Sequence, residues 1–375
     1  MIRPTGNRSC KILTIKNLKT YFYTYAGVVQ ALNGVSLEVF EGETLGLVGE
    51  TGSGKSVTAL SILRLVDSPG KIVGGEIYFR DENLLQKTED ELRNIRGNKI
   101  SIIFQDPMTY LNPVLTVKGQ IAEAIMLHQD LTETVIEIKK QKAGIKQETA
   151  DESSTNIFKS ENAKSRNFSK RDLEDAAMEK VVEALTLVKM PNPQEIAKRY
   201  PHELSGGMRQ RVMMAMALAC RPELLICDEA TTFLDVTTQA EILELLKEIQ
   251  EKTGTSIILI THNLGLVAET CDRIAVMYAG DVVEYGATSQ IFDNPCHPYT
   301  HGLLEAIPRL DRETGRLAVI RGSVPNLISP PSGCRFHPRC PYAKDVCERE
   351  KPELVEIEPN HFVACYFPLV GSGGG

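Results

Sequence analysis

One stretch limits this chain more than any other: GETGSGKS, Gly49 to Ser56, which follows directly on the apolar run TLGLVG. It matches the spacing G-x-x-x-x-G-K-[ST]. Glycines at those positions let the backbone curl until successive N–H groups point inward at phosphate oxygens, and the helix that follows adds its positive N-terminal end. In such a loop Lys55 reaches the outer phosphates and the Ser56 hydroxyl ligates magnesium. A strand before and the helical SVTALSILRL after distinguish it from an ordinary Gly-rich turn. Gly49, Glu50, Thr51, Gly52, Ser53, Gly54, Lys55, Ser56 and the next residue, Val57, are the expected nucleotide contacts.

A phosphate loop needs a carboxylate on the magnesium side, at the end of a neighbouring buried strand. ELLICDEA supplies Asp228. Glu229 leaves the strand and faces the nucleotide, where it can polarise a water aimed at the terminal phosphate. Two acids at a strand end can also be a solvated cap; beside a phosphate loop the catalytic reading prevails. The surrounding text alternates strand and helix: ELLICDE, TQAEILELLKEIQEKTG, SIILITH. Ile242, Leu245, Leu246 and Ile249 recur at the spacing of one buried helical stripe, and strand–helix–strand order implies a parallel sheet.

Composition narrows the class. At 375 residues, 42% hydrophobic and 24% charged, the chain can bury a core and has length for two domains. No apolar run approaches the roughly 18 to 20 residues that span a bilayer, and MIRPTGNRSCKILTIKNL lacks the apolar centre of a signal peptide. A net charge of -7 argues against a broad nucleic-acid surface.

Three further stretches belong with the phosphate loop. LSGGMRQRVMMAMALA puts Ser205, Gly206 and Gly207 at the start of an apolar helix, an N-cap and turn whose free N–H groups form another anion site. IIFQDP ends a strand in Gln105, and ILITHN ends one in His262. Taken in this order, residues from about Ile12 to Gly286 resemble the ATP-binding cassette (ABC) subunits of membrane transporters. More finely, QDPMTYLNP, YPHELSGGMRQRVMMAMALA, DEATTFLDVTTQAEIL and NPCHPYTHGLLEAIP are similar to the ATPases of oligopeptide and dipeptide importers.

The resemblance implies an α/β fold with a RecA-like phosphate-loop core and an antiparallel β subdomain. A helical subdomain at about 87–215 would interrupt a nucleotide-binding domain of 1–290, and a loop-rich cysteine domain would follow over 291–370. ATP and Mg2+ are the implied cofactors. Gln105 corresponds to the glutamine that contacts magnesium and the attacking water and senses the membrane subunits. Ser205 and Gly207 correspond to signature residues that cover a terminal phosphate bound to the opposite subunit, Asp235 to the D-loop aspartate, and His262 to the switch histidine. An aromatic residue of KTYFYTY would stack on adenine, with Tyr21 first and Phe22 and Tyr23 close behind. Implied partners are a second, related ABC ATPase subunit rather than a copy, two transmembrane permease subunits and an extracellular substrate-binding protein, with no nucleic acid. The implied location is the cytoplasmic face of the membrane.

The chain departs from the family at Ala230, where proline is usual, and at Asn263, where aspartate is usual. Neither deletes a catalytic group, yet both keep open a low-turnover nucleotide-sensing module. A soluble cassette protein of DNA maintenance is the other rival; it would carry a long coiled coil or zinc fingers between Gln105 and Ser205, and no cysteine lies there. The solute, whether peptide, nickel or oligosaccharide, is not written in the sequence.

Two segments fall outside the cassette pattern. Residues 136–170 are rich in Lys, Ser, Glu and Asn without sustained period, which reads as a solvated, disordered insertion. Beyond Gln290, where 11 of the 19 prolines fall, the text reads as a loop-rich appendage separated from the ATP motifs. It holds Cys334, Cys340, Cys347 and Cys365, with five, six and seventeen residues between them. A reducing cytosol disfavours disulfides. A [4Fe-4S] cluster is the expected occupant, since structural zinc usually pairs cysteines two to four residues apart; zinc is the alternative.

Overall fold

The computed structural model describes residues 10–142, 168–230, 232, 235–307 and 320–369. The chain separates into two compact units, one of residues up to Arg96, Ile100–Gln105 and Glu223 onward, the other of Gly97–Lys99 and Asp106–Pro222.

In chain order, the strands of the first unit are β1 (Lys11–Thr24), β2 (Gly27–Phe40), β3 (Thr44–Val48), β4 (Gly70–Phe79), β5 (Glu82–Asn83), β6 (Ile100–Ile103), β7 (Leu224–Asp228), β8 (Ser256–Thr261), β9 (Arg273–Tyr278), β10 (Asp281–Ala287), β11 (Val355–Glu358) and β12 (His361–Val363). They form a four-stranded sheet ordered β2-β1-β4-β5, antiparallel throughout, and an eight-stranded sheet ordered β11-β12-β10-β9-β3-β8-β7-β6. The run β9-β3-β8-β7-β6 is parallel. Every residue of β3, β7, β8 and β9 is buried, as continuous apolar strands covered on both faces must be. Ile12, Leu13, Ile15 and Leu18 of β1 share one core with Leu45, Leu47, Ile226, Ile258 and Ile260. The helix Val236–Thr253 begins at the N-cap Asp235, buries Ile242, Leu245, Leu246 and Ile249 as their spacing requires, and stops at Gly254 with φ 72°.

The tail beyond Gln290 is no detached appendage. It belongs to the first unit, where β12 pairs with β10 through Glu284–Val363 and Tyr285–Phe362, extending the central sheet. Buried Glu284 fixes it. One carboxylate oxygen accepts the Cys296 N–H (2.7 Å) and stands 2.8 Å from His361 Nε2, while the other accepts the His297 N–H (2.9 Å). Both Glu284 and His361 are 0% exposed, so these bonds form away from competing water.

In the second unit the helices Val117–His128, Thr132–Lys142, Lys170–Leu187 and Gly206–Leu218 bury Ile121, Ile125, Val135, Val181, Leu185 and Val212. Its limits differ from the expected 87–215, because Ile95 and Ile100 pack into the core of the first unit. The described residues at both ends of the expected disordered insertion, 136–170, are ordered. Residues 136–142 continue a helix, and Ser169 and Asp172 make a capping box at the start of the next, where Asp172 also pairs with Lys139 (2.9 Å). Residues 143–167 lie outside the described residues. Among the described residues no helix is long and apolar enough to cross a membrane.

Candidate functional site: a phosphate-binding cavity

The loop from Gly49 to Ser56 leaves the buried β3 and enters the helix Lys55–Ile62. Glycine is obligatory at two turns of it. A Cβ on Gly49 (φ +150°) would fall 2.1 Å from the Met277 carbonyl oxygen, and one on Gly54 (φ +104°) would fall 2.9 Å from that of Ala31. Lys55 is only 4% exposed, and its Nζ donates to the carbonyls of Gly49 (2.9 Å) and Glu50 (3.1 Å), which draws the ammonium across the loop. Burial lowers its pKa below the ordinary lysine value, against the opposing pull of Glu229, Asp228 and Glu50.

Ser56 and Asp228 are 172 residues apart in sequence, yet Ser56 Oγ donates to Asp228 Oδ1 at 2.9 Å. This hydroxyl and this carboxylate, side by side, are the donor set a magnesium ion takes beside phosphates. Burial raises the Asp228 pKa above the usual carboxylate range, more than the Ser56 hydrogen bond holds it down. Glu229 then turns out of β7 with φ +48°, an uncommon value for a side chain of this size, while its N–H donates to the Ile260 carbonyl (3.0 Å). Its Oε2 accepts from Gln105 Nε2 (2.9 Å), receives the Thr232 hydroxyl at 3.5 Å, and lies 3.7 Å from His262 Nδ1. Three side chains singled out in sequence thus meet at one carboxylate oxygen. Thr232, which sequence reasoning did not select, joins them; its motif TTFLD carried the signal.

These groups line one cavity of about 890 Å³ together with Gly49, Glu50, Thr51, Gly52, Gly54, Lys55, Ser56 and Val57. Ser53 is absent from its wall, being buried, with its carbonyl accepting the Gly280 N–H at 2.9 Å. The apolar side of the cavity is formed by Phe22, Val29, Ala31, Leu303 and Leu327. Tyr21, the aromatic expected at adenine, is not on that wall. Successive residues of a strand face opposite sides, and the Tyr21 hydroxyl instead reaches Asn33 Oδ1 at 3.4 Å. Leu303 and Leu327 come from the tail, which sequence reasoning had kept apart from ATP.

The remaining expected residues occupy helix starts. Ser205 is the exposed N-cap of Gly206–Leu218 in the second unit, accepting the Met208 N–H at 3.4 Å, and no atom lies within 4 Å of a Cβ placed on Gly206. Gly207 follows in the first turn. Asp235 accepts both the N–H (2.9 Å) and the hydroxyl (2.7 Å) of Thr238, which lowers its pKa. Asn263 caps the helix Leu264–Thr270 by accepting the Gly265 N–H at 3.0 Å, so the amide retains the capping role an aspartate would have. Ala230 is buried.

Cys334, Cys340, Cys347 and Cys365 come together around one small pocket in the tail, and all are free thiols. Burial raises the pKa of Cys334, Cys340 and Cys365, outweighing the opposing pull of the nearby Phe336, Tyr342 and Phe367 N–H groups. Burial pushes the Cys334 and Cys365 thiols up to about 11, so thiolates there need a cation beside them. No three of the four sulfurs lie within 4.8 Å of one another. Glu284, Cys296 and His361 do meet that limit, but the Glu284 oxygens already serve the hydrogen bonds that hold the tail.

A glycine-shaped phosphate loop, a Ser–Asp pair at its mouth and a glutamate poised at the end of a parallel strand define an ATPase cassette. Comparison with known proteins agrees. The model of the family described as ABC transporter matches residues 32–232, and that of the oligopeptide/dipeptide transporter C-terminal region matches 283–347. The chain is similar to the dipeptide transport ATP-binding protein DppD of Bacillus subtilis (45% identity over 95% of this chain and 94% of that protein). It is likewise similar to the oligopeptide transport ATP-binding protein OppD of Escherichia coli (44%, over 96% and 94%). Among solved structures, the dimeric MJ0796, a bacterial ABC transporter cassette, superposes with a TM-score of 0.56 at 25% identity, over 74% of this chain and 98% of that one. The chain belongs to the ABC transporter family, as an ATP-binding subunit that carries the C-terminal region of oligopeptide and dipeptide transporters.

Proposed function

We propose that this subunit is the ATP-hydrolysing motor of an importer for oligopeptides or dipeptides, working peripherally on the cytoplasmic face of the membrane. The substrate class rests on relatives named for peptide transport and on the matched C-terminal region. The observation that carries the catalytic part is the convergence of Gln105, Thr232 and His262 on the Glu229 carboxylate, in the cavity also lined by Lys55 and Ser56, whose hydroxyl donates to Asp228. Phe22 and Val29 receive the base. Lys55 and the loop N–H groups receive the outer phosphates. Ser56 and Asp228 would hold magnesium, which would neutralise phosphate charge, while Glu229 takes the proton of a water that Gln105 orients. His262 steadies the terminal phosphate.

Ser205, Gly206 and Gly207 present an exposed helix start suited to a phosphate held by another cassette. A second, related ATPase subunit is the proposed partner, with two permease subunits and an extracellular substrate-binding protein completing the importer. The helix-capping Asn263 and the intact acid pair favour turnover over a sensing role. Reconstitution with permease subunits tests this: substrate-stimulated ATP hydrolysis and peptide uptake are expected, and an ATPase rate that ignores the permeases contradicts it.

We further infer that the four tail cysteines hold a [4Fe-4S] cluster. The cysteines have five, six and seventeen residues between them, wider than the two to four that structural zinc sites usually use. The cluster would supply a covalent staple for a segment poor in core. Anaerobically purified protein should be brown, with about four irons per chain. Colourless protein with one zinc would replace the cluster by zinc, and metal-free protein would remove both.

A further inference from the structure

Glu50, the second residue of the phosphate loop, is held from the tail on two sides. Its backbone N–H donates to the hydroxyl of buried Tyr299 at 2.9 Å. Its carboxylate is gripped by Arg339, with Nη1 to Oε2 at 2.6 Å and Nη2 to Oε1 at 3.0 Å. The side chain of Arg339 is 5% exposed, and its remaining donors go to the carbonyls of Arg321 (2.9 Å) and Ile320 (3.3 Å) and to the Tyr278 hydroxyl (3.3 Å). A buried, bidentate guanidinium with every direction used fixes both position and angle of the group it binds.

Arg339 is itself set by the cysteine segment. It ends a single turn, His337–Arg339, closed by His337 N–H to Cys334 O (2.9 Å), Arg339 N–H to Phe336 O (3.0 Å) and Cys340 N–H to His337 O (3.2 Å). Phe336 packs edge-on against Tyr278, with ring centroids 5.1 Å apart, and lies 5.4 Å from the ring of Tyr299. On the loop side, the Glu50 carbonyl accepts from Lys55 Nζ, so Glu50 links the tail directly to the lysine that meets phosphate.

We propose that Arg339 is a positioning residue for the phosphate loop, through which nucleotide affinity depends on the order of the Cys334–Cys347 segment. The proposal rests on the ATP-site reading above and adds a control element to it. Displacement of the turn withdraws Arg339, frees Glu50 and lets the loop carbonyls drift from the arrangement that aims Lys55 and the N–H groups at phosphate. Loss of order around the cysteines, by oxidation or by loss of whatever they bind, then weakens nucleotide binding from outside the cavity, through Glu50.

The test is calorimetric titration of the full chain with Mg-ADP, with thermal melts alongside. Arg339→Met should weaken binding about ten-fold, equivalent to about 1.4 kcal/mol, and Arg339→Lys should recover part of it. Glu50→Gln breaks the same pair from the loop side and should weaken binding similarly, and the double variant should be no worse than either single. Cys347→Ser should weaken binding in the parent but add nothing to Arg339→Met. Unchanged affinity in both Arg339→Met and Glu50→Gln overturns the proposal, as do fully additive losses in either pairing. If Arg339→Met does not fold, Arg339→Lys with Glu50→Gln supplies the same cycle. Retained binding by Lys55→Ala would be a different failure, that of the nucleotide site itself.

Discussion

Ser56 Oγ and Asp228 Oδ1 lie 2.9 Å apart, joining the first turn of the helix after the phosphate loop to the end of β7. Burial of the Asp228 carboxylate costs stability, which the Ser56 hydrogen bond offsets only in part. Folding raises the Asp228 pKa by burial, so between its unfolded and folded values the native chain binds more protons, and stability falls as pH rises through that window above 3.8. Asp228→Asn should therefore melt at or above the parent temperature at pH 8, with the gap closing as pH drops toward 4, while Mg-ATP hydrolysis is lost. A lower melting temperature at pH 8 would mean that Ser56 and Lys55 offset the burial.

Phe22, not Tyr21, shares the cavity wall with Val29. Stacking of a base on an aromatic ring is worth about 1–3 kcal/mol, so Phe22→Ala should weaken ATP binding roughly 5- to 150-fold, as fluorescence titration would read. Tyr21→Ala should change it by less than about two-fold, since its hydroxyl serves only a long 3.4 Å contact with Asn33.

Glu284 accepts from the Cys296 and His297 N–H groups and pairs with His361, all of them buried. Glu284→Ala removes the common acceptor. Breaking one side of a buried polar pair costs about 3–5 kcal/mol, so the melting temperature should drop sharply and limited proteolysis should cut the tail first. A near-parental melt would show that β12 holds without it.

The insertion gives a graded test. Replacing 143–167 by a short Gly-Ser linker should leave ADP affinity and melting close to parental, because so polar a sequence buries little apolar surface. Deleting 137–170 also removes Lys139 and the Ser169 cap, and should lower the melting temperature by a few degrees, since a lost cap costs about 1 kcal/mol.

The parts of the site written as contiguous words were legible in sequence. GETGSGKS and ELLICDE dictate local backbone geometry by themselves, and the stripe Ile242–Ile249 announced its buried face. Tyr21 and Phe22 could not be told apart because strand alternation settles the face only once the register is known. The tail was the larger surprise: proline content spoke for loops, while the long-range pairs Arg339–Glu50 and Glu284–His361 bring those loops into the first unit, at the mouth of the phosphate loop and beside β10. Neither pair has a spacing signature, since the partners lie 289 and 77 residues apart.

The most direct measurement concerns Glu229, whose carboxylate is held by Gln105 at 2.9 Å. Glu229→Gln keeps the shape and removes the proposed base, an effect typically on the order of 100- to 10,000-fold. Single-turnover hydrolysis of ATP by this variant, with permease and partner ATPase subunits present, should be slowed by that factor while ATP binding is retained and the ATP-bound dimer of cassettes accumulates. Turnover near the parental rate would contradict the account.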